Sequence, residues 1–80
     1  MPTVLILFGL RFYFYSEEHS PIHIHVESGD GKAKINVEDG TLIENKGLKP
    51  NDLKKAISTV KTFKNEFIKA WNEHFDEQQN

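Results

Sequence analysis

The chain reads as an α+β fold: a small antiparallel sheet of four to five strands, with one long C-terminal helix packed across one face. Three observations predict it. Residues Ile22 to Glu27 alternate strictly between apolar and polar side chains, the period of a half-buried strand. Glycine-rich turns at Ser28-Gly29-Asp30-Gly31 and Asp39-Gly40 punctuate the first half at hairpin spacing. From Pro50 onward apolar residues recur every three or four positions instead.

Taken in order, Thr3 to Phe8 is a nearly continuous apolar run, suited to a strand buried on both faces or central in a small sheet. Gly9-Leu10 breaks it. Arg11 to Tyr15 then alternates, with Phe12 and Phe14 on one side and Arg11, Tyr13 and Tyr15 on the other. A turn around Glu17 to Pro21 leads into the histidine strand. On the fourth strand Ala33, Ile35 and Val37 face the core, while Lys32, Lys34, Asn36 and Glu38 face out. Thr41 to Glu44 makes a short fifth strand with poor alternation. The sheet thus spans residues 3–44.

The helix spans residues 50–75. Pro50 suits a first helical position and Asp52 the first turn, whereas Lys49 is a poor N-cap. Leu53, Ala56, Ile57, Val60, Phe63, Phe67, Ala70, Trp71 and His74 mark its apolar stripe. Such a helix would be ~39 Å long, against ~30 Å for a compact domain of this size. Its end, with Trp71 and Phe75, is expected to overhang the sheet and join a dimer or a heterologous complex. Residues 76–80 read as a frayed polar tail.

At 80 residues the expectation is a single domain, residues 1–80. The formal net charge of −2 calls for no nucleic-acid partner by itself. With no cysteine there is neither a disulfide framework nor thiolate chemistry. No stretch reaches the ~20 apolar residues that span a membrane, and the apolar start lacks the flanks of a signal peptide. A cytoplasmic setting is compatible with this composition.

Candidate chemistry concentrates in one stretch. Three of four histidines fall between His19 and His25. Two antiparallel registers keep every apolar residue on one face: Phe14 opposite Ile24, and Val26 opposite Ala33. They place Tyr15 beside His23, Tyr13 beside His25, His25 beside Lys34 and His23 beside Asn36. The outward face then collects Arg11, Tyr13, Tyr15, His23, His25, Lys34 and Asn36 as substrate-contacting and catalytic candidates. His23 and His25 suit general acid–base work on RNA, since imidazole titrates near neutrality, and Lys34 or Arg11 would neutralise phosphate charge. The same imidazoles, joined by His19 or Glu18 from the turn, form a candidate set for a divalent, zinc-like metal. Tyr13 and Tyr15 would stack on bases in a non-catalytic nucleic-acid or protein-binding module. The plain alternative is a solvated polar face.

The residues Met1-Pro2-Thr3-Val4-Leu5, Phe12 to Tyr15, Glu18-His19-x-Pro21-x-His23-Ile24-His25-Val26, the Asp30-Gly31 turn and Ala70-Trp71-x-Glu73-x-Phe75 cover nearly the whole chain. In this pattern the chain resembles the bacterial domain of unknown function 4160 family. The resemblance implies a small prokaryotic protein encoded beside a protein partner of the domain of unknown function 2442 family, in a toxin–antitoxin-like pair. The family brings no established activity. Lys49 departs from the small polar N-cap of relatives, which touches helix capping and not the histidines.

Overall fold

The computed structural model describes the backbone of residues 3–14, 22–29 and 31–78, and the side chains of residues 4–14, 22–29 and 31–73. The elements are β1 (Thr3–Leu7), β2 (Leu10–Tyr13), β3 (His23–Ser28), β4 (Gly31–Asn36), β5 (Leu42–Lys46), α1 (Pro50–Thr62) and α2 (Lys64–Gln78). The strands form one antiparallel meander in the order β1-β2-β3-β4-β5. Phe12 pairs with Val26 and Tyr13 with His25, while Val26 pairs with Ala33, His25 with Lys34 and His23 with Asn36. These are the registers expected from the apolar pattern. A slip of one residue would turn Ile24, Val26 and Ile35 to the outside.

The core lies between the inner sheet face and the helices. Phe12, Phe14, Ile24, Val26, Ile35, Val60 and Phe67 are buried there. Phe12 and Phe67 stack with ring centroids 5.7 Å apart, which ties the sheet to α2.

Three expectations need correction. The run from Thr3 to Phe8 is neither central nor covered on both faces. β1 is an edge strand, and Ile6 and Phe8 are 67% and 63% exposed. An apolar run of this length does not distinguish edge from centre. Phe8 and Gly9 both take positive φ, 56° and 75°, the backbone of a two-residue primed turn.

The poor alternation of the fifth strand has a physical cause. Lys34 pairs with Glu44 and Ile35 with Leu42, so Ile43 is the extra residue of a β-bulge. The strand continues to Lys46, two residues beyond the expected end. The turn before it is also longer than the two residues Asp39-Gly40. Asn36 Oδ1 accepts the Glu38 N–H at 2.8 Å, and Asp39 Oδ1 accepts the Thr41 N–H at 2.9 Å and hydroxyl at 2.7 Å.

The single long helix is two helices. Phe63 separates them with φ −104° and ψ 24°, although its N–H still reaches Thr59 O at 2.9 Å. No proline or glycine lies at the break. Thr59 Oγ1 donates to Lys55 O at 2.7 Å, a back-bond that bends helices, and the β-branched residues Thr59, Val60 and Thr62 crowd the turn before it. The expectation that Trp71 overhangs the sheet is not met. Trp71 is only 7% exposed and meets Phe14 edge-on at 5.3 Å, inside its own chain. The side chains of His74 and Phe75 lie outside the described residues, as do residues 79–80 of the tail. At the other end Lys49 is the N-cap and makes no side-chain capping bond, with Pro50 and Asp52 placed as expected.

Two outcomes follow. Phe67→Ala is expected to cost about 3–5 kcal/mol, a large part of the ~4–12 kcal/mol available to a chain this size; urea denaturation measures it. The Thr41 hydroxyl, with the Thr41 N–H, holds the Asp39 carboxyl below the usual carboxylate range. A depressed pKa means that its contribution is complete above the ordinary value and is lost as pH falls through the lowered one. The Thr41 amide resonance should therefore titrate with a midpoint below the usual range, and Asp39→Asn should abolish that titration.

Candidate functional site

The register that buries Ile24 and Val26 aligns the opposite face by default. Tyr13 (β2), His25 (β3), Lys34 (β4) and Glu44 (β5) form one row across four strands. Arg11, Glu27 and Lys32 form the row beside it. The first row, with Lys32 from the second and Ala33 and Lys46, borders an open basin of about 300 Å³, lined by Tyr13, His25, Lys32, Ala33, Lys34, Glu44 and Lys46. That is the small end of the range for ligand pockets, ~300–1,000 Å³.

The floor of the face is a stack. The Arg11 guanidinium sits 4.3 Å from the Tyr13 ring centre, within cation–π range. Tyr13 stacks on His25 with centroids 5.4 Å apart and planes inclined by 22°. His25 meets His23 edge-on at 5.4 Å, and His23 meets Trp71 of α2 at 5.6 Å. Glu27 fixes the Arg11 end. Its Oε1 takes the Arg11 Nε–H at 3.0 Å and Nη2 at 2.9 Å, and its Oε2 lies 3.4 Å from the Tyr13 hydroxyl. Both side chains are about one-third exposed, 32% and 31%, so the ion pair is worth at most ~1 kcal/mol and acts mainly to orient the guanidinium.

The two central histidines therefore differ. His25 is half-buried and lines the basin beside Lys34. His23 is 9% exposed and lies against Trp71. Both imidazoles stand on the outer face, but His23 is not clear of the helical layer there, because the Trp71 indole reaches the start of β3 and covers it. Asn36, expected on the binding face, has its Oδ1 engaged by the turn after β4. Arg11, expected to meet phosphate, is engaged by Glu27. Tyr15, His19 and Glu18 lie outside the described residues. Among the described residues no three His, Cys, Asp or Glu side chains are grouped to hold a metal ion. No described helix is long and apolar enough to cross a membrane.

Glu27, Lys32, Glu44 and Lys46 were not singled out from the sequence as site residues. Glu27 was legible, since the register that sets Tyr13 opposite His25 also sets Arg11 opposite Glu27. Glu44 and Lys46 were hidden by the bulge at Ile43, which obscured which β5 residues face outward.

Unequal burial predicts unequal cost. His23→Ala is expected to lose about 1–3 kcal/mol of stability through its packing against Trp71, and His25→Ala under about 1 kcal/mol. Parallel urea titrations decide it, and equal costs would contradict the division between the two residues.

Neither a curated protein nor a solved structure matches the chain. Residues 9–72, which include every strand from β2 to β5, α1 and the Trp71 end of the histidine stack, match the family described as Domain of unknown function (DUF4160), and the chain belongs to that family.

Proposed function

We propose that this chain is one component of a toxin–antitoxin-like pair, that it binds a protein partner, and that its outer sheet face binds single-stranded RNA. The RNA reading rests on one observation: the basin concentrates positive charge on an acidic chain. Among the described residues Lys32, Lys34 and Lys46 border it with Glu44 as the one carboxylate, while the whole chain carries −2. Segregated charge of this kind draws polyanions through counterion release. Tyr13 is only 2% exposed beneath Arg11 and His25, so the half-buried His25 ring at the basin is the surface on which an unpaired base would rest. The protein partner is the part that the family resemblance supports, the DUF2442-type neighbour being its expected identity.

A catalytic version uses the same atoms. His25 lies beside Lys34 in the row. From there it would take the proton of a 2′-hydroxyl as that oxygen bonds to phosphorus, and return it to the 5′ oxygen as the P–O5′ bond breaks, while Lys34 meets the charge growing on the phosphate. The stack gives His25 the larger share of such work, because His23 is covered by Trp71. A zinc-like ion on His23 and His25, completed by His19 or Glu18, is the metal-dependent alternative, and sensitivity to a chelator separates the two.

Fluorescence anisotropy with a labelled single-stranded RNA, repeated over a salt series, tests the binding. Lys34→Ala or Lys46→Ala should weaken it several-fold and lower the salt slope by about one. Affinity that is absent at low salt, or is indifferent to both lysines, would remove the RNA reading. In the catalytic version, His25→Ala should cut cleavage about a hundredfold or more while RNA affinity persists.

A further inference from the structure

We propose that a second copy of this chain docks antiparallel on β5, about a two-fold axis through Asn45, and joins two basins into one cationic strip. This goes beyond the RNA reading and stands on different observations. β5 is an edge of the sheet, paired with β4 on one side. All five of its residues are exposed. Leu42 and Ile43, 41% and 47% exposed, are two of the four large apolar side chains on the described surface. An edge strand presents outward backbone N–H and C=O groups that a further strand satisfies.

Charge selects both the occupant and the register. Glu44 and Lys46 stand on the outer face, where they form a 3.6 Å pair within the chain. Antiparallel pairing centred on Asn45 sets Glu44 of each copy opposite Lys46 of the other, giving two reciprocal opposite-charge pairs. Centring on Glu44 would set like charges opposite each other. The bulge at Ile43 limits regular pairing to Glu44 through Lys46, and brings Ile43 over Gly47 of the second copy. The Asn45 side chain is turned onto its own chain, with Oδ1 accepting the Leu48 N–H at 3.0 Å and the amide nitrogen donating to Leu48 O at 3.2 Å. It is thereby held back from the axis.

The consequence falls on the basin, which Glu44 and Lys46 border. Three strand spacings, ~14–15 Å, would separate the two β4 strands, with Lys34 of each copy in line with Lys32 of the other. One RNA strand would then be shared between two copies.

Sedimentation over a concentration series tests the dimer. A dimer is expected, with Lys46→Glu and Ile43→Lys each raising its dissociation constant about tenfold or more. The double variant Glu44→Lys, Lys46→Glu should restore it, which a folding defect would not allow. Because the chain has no cysteine, register is tested separately. The side chain introduced by Asn45→Cys would face its copy across an antiparallel pair, ~4.5–5.5 Å between Cα atoms, inside disulfide range. Oxidation should cross-link that variant and leave Ile43→Cys uncross-linked. A chain that stays monomeric, a dimer that none of these variants changes, or association on β5 only with a different protein would overturn the proposal. A monomer that still binds RNA would remove the dimer and leave the RNA reading, and a dimer without RNA affinity would do the reverse.

Discussion

One-sided burial of β3 organises the molecule. Ile24 and Val26 are fully buried beneath the helices, and their neighbours Phe12, Ile35 and Ala33 pair with them at fixed positions. The strand period is two, so the pairing that seals the core cannot be altered without carrying the outer side chains with it. Tyr13, His25, Lys34 and Glu44 are brought together by hydrophobic burial on the other side of the backbone. Among the described residues the basin is lined from strands β2 to β5 alone.

Electrostatics then divides the outer face. Glu27 takes the charge of Arg11 and orients it over Tyr13, so one cation is spent on structure. Among the described residues the lysines of β4 and β5 have Glu44 as the one basin carboxylate. The result is an ordered, near-neutral cluster at the β2 side and a cationic basin at the β5 side. A chain that is acidic overall can thus meet a polyanion locally, which bulk composition could not reveal.

What was legible in the sequence follows from how local the governing physics is. Strand identity, facing and register depend on alternation and turn chemistry, and β2 to β4 with the Tyr13–His25–Lys34 alignment were readable from these. The helix break at Phe63 was not. It depends on a Thr59 back-bond and on packing against Phe12 through Phe67, and periodicity passes through such a bend unchanged. The β1 run was misplaced for a similar reason: apolar density reports burial on average, and Ile6 and Phe8 sit at a sheet edge where nothing on their own strand records it. At β5, one inserted residue was enough to erase the pattern.

The unequal histidines carry this reasoning one step further. His23 and His25 share a strand, a face and a residue type, and two-residue spacing alone makes them equivalent. They differ because α2, set off from α1 by the break at Phe63, lays Trp71 against the sheet, where the indole touches Phe14 in the core and His23 on the face. The stack from Trp71 through His23 and His25 to Tyr13 is therefore continuous between the core and the basin. His23 supports the ring that lines the basin, as Glu27 supports Arg11 at the opposite end. A side chain at a working surface keeps its orientation when its neighbours are packed and partnered, and here the packing comes from the helix that closes the core. The break in the helix, which local patterning conceals, is what gives the two imidazoles separate roles.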